Sequence, residues 1–421
     1  MFDLLVHNAA QLVTVDTKGA GIKRGGEMRD LGVIEDGAVG IEDGVITYVG
    51  PTSAIDIGDA EESINASGRT VLPGFVDSHT HLVFAGHREH DFARRAAGAT
   101  YAEIAAAGGG INTTVKATRA ATQIELLEYA LHRLDSCLQN GTTTVEIKSG
   151  YGLDFENEVK MLEVIRELQS LHVVDIVPTF LGAHTVPFDY LDNREEYVRL
   201  VVERMIPYVA ENGLAGFCDA FMEKTAFNMD ETRSVFDAAR RHGMKIKLHA
   251  DQITSGGGAG LAAEMGAVSA DHLDRSSADG LERMLGSGSV AVLLPGVSLF
   301  LGEEWPNARK FIECGLPVAV ATDMNPGSCM SENIQLMASL AVTRMHMTME
   351  EALSAVTING AAALDLGNAV GSLETGKKAD LLVFDTANYK QIPYHFGVNH
   401  LMVVVKDGRT VLEKTYAGIQ E

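Results

Sequence analysis

The chain has 421 residues, 46% hydrophobic and 22% charged. That mix excludes a disordered polypeptide and, at roughly 100–200 residues per domain, leaves two or three domains or one large barrel with additions. Its 57 acidic and 34 basic side chains give a formal charge of −23, a field that repels polyanions and argues against nucleic acid and acidic membranes as partners.

In chain order, residues 2–7 and 39–49 read as β-structure, the second stretch broken by the turn pair Asp43-Gly44. The N-terminal MFDLLVHNAAQL lacks a basic, long apolar leader, and no run reaches the ~18 apolar residues of a membrane span. From about residue 70 to 366 short apolar strands alternate with amphipathic helices. Strands are predicted over 70–77, 142–148, 175–181, 216–222, 245–249, 267–272, 290–294 and 317–322. Helices are predicted over 123–140, 156–171, 194–212 and 230–242; in the first, Leu127, Leu131, Leu134 and Leu138 form one stripe and Gly141 is the stop. Thr348 with Glu351 marks a capping box.

Eight strands, most separated by a helix, predict an α/β protein built as a closed (β/α)8 TIM barrel rather than an open doubly wound sheet. Residues 380–385 and 401–406, with a second turn at Asp407-Gly408, return to β-structure. Neither end has strands enough to stand alone, so 1–66 and 367–421 are expected to fold together as a small accessory domain beside a barrel of 67–366. The cysteines Cys137, Cys218, Cys314 and Cys329 lie far apart without a C-x-x-C pair. This disfavours a disulfide framework and suits a reducing compartment, so a cytoplasmic protein is expected.

Barrel enzymes place their chemistry at the C-terminal ends of the strands. The first predicted strand runs into His79 and His81, which lie two apart on extended chain and therefore share a face. The fifth ends at His249, the sixth at His272, and the eighth runs into Asp323; Lys148 ends the second and His184 follows the third. One His-x-His is weak by itself. Histidines or aspartate at four strand ends point to a metal centre of His79, His81, His249 and Asp323, suited to one Zn²⁺ or Fe ion and poor for Ca²⁺. Asp323 is also the candidate acceptor of a water proton, and His272 the candidate for steadying a developing oxyanion.

PGFVDSHTH, HAD, ADH and ATD, each at its expected strand end, resemble the amidohydrolase superfamily of metal-dependent hydrolases, and 371–385 resembles its accessory β-sandwich. More narrowly, HTHLVFAGHREHDF (79–92), KSGYGLD (148–154), GAHTVP (182–187) and ATDMNPGS (321–328) resemble the cyclic amide hydrolases that open an imidazolone ring in histidine breakdown. The resemblance implies a small-molecule substrate, 4-imidazolone-5-propanoate, hydrolysed to N-formimidoyl-L-glutamate by attack of metal-bound hydroxide on the ring carbonyl. It also implies a homodimer. Arg88, on the first βα loop, can pair bidentately with a propionate that the overall charge would repel, and the resemblance gives it that role.

Tyr151 and His184 are carried over as substrate contacts, and Asn325, Gly327 and Ser328 as a turn that holds the new carboxylate. Gln252 stands three residues after His249, where deaminase-like relatives carry a proton-shuttling Glu. It cannot titrate and is expected to contact substrate. Lys224 reads as a surface lysine and Lys148 as misplaced for bridging two ions, so one metal per chain is expected.

Overall fold

The computed structural model describes residues 1–99, 103 and 108–414. The chain opens with β1 (Phe2–Ala9), β2 (Gln11–Val13), β3 (Val33–Ile34), β4 (Gly37–Glu42), β5 (Val45–Pro51), β6 (Ala60–Asn65) and β7 (Thr70–Pro73). Eight strands follow: β8 (Phe75–Asp77), β9 (Thr142–Lys148), β10 (Asp175–Ala183), β11 (Phe217–Met222), β12 (Lys245–Ala250), β13 (Ser269–His272), β14 (Val290–Leu293) and β15 (Val318–Val320). The last three are β16 (Leu381–Phe384), β17 (Leu401–Lys406) and β18 (Arg409–Glu413).

Strands β8 to β15 pair in sequence order, all parallel. The seam between β15 and β8 is bridged just past their ends, where Asp323 N donates to His79 O and His81 N to Met324 O. The expected (β/α)8 barrel is therefore present, and the bonds that join its first and last strands lie among the candidate metal ligands.

The predicted helices follow their sequence signals. Gln123–Gln139 opens on a Thr122/Glu125 capping box, Phe155–Leu171 on Asp154, and Met229–Arg241 on an Asn228/Glu231 box. The Thr348/Glu351 box starts Met349–Ala355. The stretch expected as one helix over 194–212 contains a π-turn at Val201–Met205, separated from Pro207 by Ile206. Proline has no N–H to give the preceding turn, and widening the turn accommodates that loss.

The apolar run 70–77 is two strands rather than one. Thr70–Pro73 pairs with β16 and β2 outside the barrel, whereas Phe75–Asp77 pairs with β9 inside it. Pro73 cannot donate to a ladder, and Gly74 donates to Asp380 O; a Cβ on Gly74 would lie 2.1 Å from Thr143 Oγ1.

The chain ends form two sheets, β5-β4-β1-β6 and β18-β17-β16-β7-β2-β3. Leu4, Val6, Val39, Ile41 and Ile46 of the first meet Leu12, Val71, Leu381, Val383, Val403 and Val405 of the second in one buried cluster, the layering of a sandwich. Alternation along β16 sends Leu382 and Phe384 the other way, into the barrel's core, where they meet Leu401 and Val404 of β17, whose odd spacing is absorbed by a register shift opposite Val383 and Phe384. Both Asp-Gly turns have positive φ, 50° and 75° at Asp43-Gly44 and 49° and 76° at Asp407-Gly408, as the hairpin turn type that matches strand twist requires.

Candidate active site

His79 and His81 leave β8 on one face, His249 and His272 end β12 and β13, and Asp323 follows β15. All five are buried. The His79 and His249 ring centroids are 4.5 Å apart, His249 and His272 5.2 Å, and His79 and His81 5.4 Å. Asp323 Oδ1 lies 3.4 Å from both His79 Nε2 and His81 Nε2. His79, His81 and Asp323 form one group able to hold an ion, and His79, His249 and His272 another, with His79 common to both. The four residues expected as ligands are thus brought together, with His272 beside them.

The atoms facing one another are short of partners. His79 Nε2, His249 Nε2 and Asp323 Oδ1 are buried and accept or donate no hydrogen bond, an arrangement costly to desolvate unless a cation satisfies it. Burial lowers the pKa of His79 and His81, and that of His272 to well below the ordinary value. Neutral imidazoles offer lone pairs. Burial would raise the Asp323 carboxyl, but His79 and His81 hold it well below the usual carboxylate range, so it is an anion. One imidazole nitrogen is fixed from behind, with Asp271 Oδ2 2.6 Å from His79 Nδ1; Asp219 Oδ2 lies 2.9 Å from His249 Nδ1 in close contact without hydrogen-bond alignment, while its Oδ1 accepts from the His249 amide. A proton on His79 Nδ1 leaves its Nε2 as the donor atom for a metal. His-rich nitrogen with one carboxylate oxygen suits a transition-metal dication.

The centre opens into a cavity of about 400 Å³ lined by His81, Arg88, Tyr151, His184, His249, Gln252, His272, Asp323, Asn325, Gly327 and Ser328, among others. Every residue expected to contact substrate reaches this space. Arg88 precedes the helix Glu89–Ala96; its Nε donates to Thr114 Oγ1 at 2.9 Å, and its guanidinium lies over Gly327, where a Cβ would come within 2.5 Å of Nη1. Tyr151 is buried and hydrogen-bonds Arg88; burial, opposed by that guanidinium, raises its phenol pKa and keeps it neutral. His184 stacks on His81 with centroids 5.2 Å apart and an angle of 18°, its Nδ1 2.9 Å from Gly150 O. Burial and the nearby His81 and His249 lower its pKa well below 6.5.

Asn325 Oδ1 accepts from Gly327 N and Ser328 N, both at 2.8 Å, while its Nδ2 donates to Asp323 O at 2.7 Å. The turn expected to receive a product carboxylate therefore also ties down Asp323. Its two amides are already engaged by Asn325. Lys224 is on the surface, as expected, and the loop histidines His87 and His90 are exposed.

Sequence reasoning missed what lies beneath the ligands. Glu146, Lys148, Asp219, Lys247 and Asp271 are fully buried inside the barrel. Lys148 Nζ is 2.6 Å from Glu146 Oε1 and 2.8 Å from Asp219 Oδ2. Lys247 Nζ donates to Ser78 O at 2.9 Å and lies 3.6 Å from Asp271 Oδ2. Charged residues at alternate positions of strands otherwise apolar enough to be core were the available signal.

A buried histidine–aspartate cluster at the C-terminal mouth of a parallel barrel is a site able to hold a metal ion. The amidohydrolase family profile matches residues 70–412. Imidazolonepropionase from Geobacillus thermodenitrificans (strain NG80-2) is 50% identical over 420 residues, 98% of this chain and 99% of the relative. The enzyme of the same name from Alkaliphilus oremlandii (strain OhILAs) is 48% identical over 416 residues, 98% of each chain. Among solved structures, the 5-methylcytosine deaminase of Klebsiella pneumoniae superposes with a TM-score of 0.75 at 19% identity, covering 99% of both chains. An adenosine deaminase from Xanthomonas campestris gives 0.71 at 19% identity, covering 98% of this chain and 93% of that one. The chain belongs to the amidohydrolase family and, within it, to the imidazolonepropionases. It is a hydrolase of a small molecule, and its family implies a divalent metal.

Proposed function

We propose that the chain hydrolyses 4-imidazolone-5-propanoate to N-formimidoyl-L-glutamate, with one Zn²⁺ or Fe ion held by His79, His81, His249 and Asp323. The observation that carries this reading is the convergence of unpartnered His79 Nε2, His249 Nε2 and Asp323 Oδ1 beside a cavity that His249 and Asp323 line and that also receives the Arg88 guanidinium. A bound dication supplies Lewis acidity toward water and toward the ring carbonyl at neutral pH.

The side chains divide the remaining work. Arg88, with Tyr151 donating beside it, takes the propionate and sets which ring atom faces the histidine cluster. His184 and Gln252 border the ring, offering one aromatic face and one amide that both donates and accepts. His272 donates toward the carbonyl oxygen as negative charge develops there. Asp323, its backbone carbonyl tied by Asn325 and its anionic carboxylate beside two imidazoles, accepts the proton from water and returns it to the departing ring nitrogen. The bond between that nitrogen and the carbonyl carbon breaks, and the new carboxylate forms beside Asn325 and Ser328. The two termini form an accessory β-sandwich domain, and the protein acts as a cytoplasmic homodimer.

The test is to add metal-loaded protein to 4-imidazolone-5-propanoate and follow loss of the imidazolone absorbance while quantifying formimidoylglutamate. Stoichiometric conversion with about one metal per chain supports the reading. Ammonia release from cytosine or guanine without imidazolone turnover overturns it.

A further inference from the structure

We propose that Lys148 is a positioning residue for the metal centre, one fixed cation that holds the two carboxylates standing behind His79 and His249. This rests on reading those histidines as ligands. On β9, Glu146 and Lys148 are two apart and point the same way; on β12, Lys247 and His249 do likewise. With Asp219 of β11 and Asp271 of β13, Glu146, Lys148 and Lys247 build a cluster of charge in the barrel interior behind the imidazoles, and all five are fully buried.

Lys148 Nζ sits between the carboxylates. It is 2.6 Å from Glu146 Oε1, 2.8 Å from Asp219 Oδ2 and 3.9 Å from Asp271 Oδ2. Those last two oxygens are the ones that meet His249 Nδ1 and His79 Nδ1. One ammonium thus reaches the supports of two ligands that come from different strands, and no other cation touches Asp219 among the described residues. Lys247 serves Asp271 and Glu146 at 3.6 and 3.8 Å. Thr179 Oγ1 and Ser269 Oγ add 2.6 Å bonds to Glu146 and Asp271, which narrows the rotamers those carboxylates can take. Burial pulls the Lys148 pKa down, but Asp219, Glu146 and Asp271 together outweigh it and raise the value. A lysine held charged in this way is unavailable as a bridging ligand, consistent with one ion per chain.

Without Lys148, Asp219 keeps only the nearby His249 ring and the amides of Ala220 and His249, with no ammonium against its carboxylate. The orientation of the His249 ring then loses its support, and outer partners of metal ligands typically govern affinity by about 10–100-fold.

The experiment compares the wild-type protein, Lys148→Met and the double variant Glu146→Gln/Lys148→Met. Zn²⁺ dissociation constants are measured by chelator competition, and visible absorption is recorded on the Co²⁺-loaded proteins; neither requires substrate. The double variant removes one charge of each sign, and it carries the test if Lys148→Met alone does not fold. The expected result is a folded protein whose Zn²⁺ affinity is weaker by ~10-fold or more, with altered Co²⁺ bands, in both variants. Zn²⁺ affinity within twofold of wild type with an unchanged Co²⁺ spectrum overturns the proposal, as does full recovery in the double variant, which would leave Lys148 only the task of neutralising Glu146. Should the wild-type protein bind neither ion, the metal reading falls with it, whereas failure to turn over imidazolone leaves this test standing.

Discussion

Asp323 shows how much one position can be asked to do. It lies at φ 50°, a left-handed conformation that carries strain for a residue with a side chain. There its backbone bridges the barrel seam, Asn325 binds its carbonyl, and its carboxylate faces His79 and His81. Replacing Asp323 with Asn keeps a weak ligand and removes the acceptor. Metal analysis should find the ion largely retained and steady-state assays a fall of roughly 10²–10⁴-fold in kcat; near-normal turnover would remove Asp323 from proton transfer.

Glu158 has a comparable role one loop away. Its buried carboxylate accepts from the amides of Gly150, Gly152 and Leu153 at 2.8 to 3.1 Å, fixing the loop that presents Tyr151. Glu158→Gln should raise KM severalfold while metal content stays constant, because the loop loosens and the ligands do not. A change confined to kcat would count against this.

Among elements, the terminal strands depend on links that local sequence does not reveal. Glu374, just before the last three strands, receives Thr17 Oγ1 and the Gly19 amide from the N-terminal segment as well as Lys377. Burial alone would raise its pKa, but bonds from Ser372, Lys377 and the Gly19 amide bring it down to about 2. An unfolded Glu titrates near ~4.3. A folded pKa below the unfolded one means the carboxylate stabilises the fold fully above about pH 5, and that contribution is lost as pH falls through 4 toward 2. Urea denaturation should therefore find Glu374→Gln less stable than wild type at pH 7, with the gap narrowing toward pH 3. A constant gap would contradict the linkage.

Strand boundaries show the same limit. The run 70–77 has the composition of one strand, and Pro73-Gly74 was the visible sign that it turns a corner. Which sheet each half joins was set by β16 and β9, whose paired residues lie far away in sequence.

For the whole molecule, the buried unpartnered ligand atoms make the ion part of the folded state. Removing it leaves neutral imidazoles and a carboxylate facing one another without compensation. A ligand that binds only the native state stabilises it by about 4 kcal/mol when present at ~1,000 times its dissociation constant. Calorimetry should accordingly show chelator-stripped protein melting several degrees lower, with recovery on adding Zn²⁺. Identical transitions would mean that the site is not occupied in the native protein.

What the chain determined by itself was periodicity and chemistry at strand ends. Eight apolar runs alternating with helices pointed to a parallel barrel over an open doubly wound sheet, and a parallel barrel puts His79, His81, His249, His272 and Asp323 at one mouth, so those residues could be read in advance. Arg88, Tyr151, His184, Gln252, Asn325, Gly327 and Ser328 were legible only through motif resemblance, because loops carry no period. Tertiary structure alone decided that Asp271 stands behind His79, that Asp219 stands behind His249, and that Lys148 joins the two. These partners lie up to 192 residues apart. A charged side chain in a strand has no fixed meaning until closure of the barrel removes water from around it and leaves its neighbours as its only solvation.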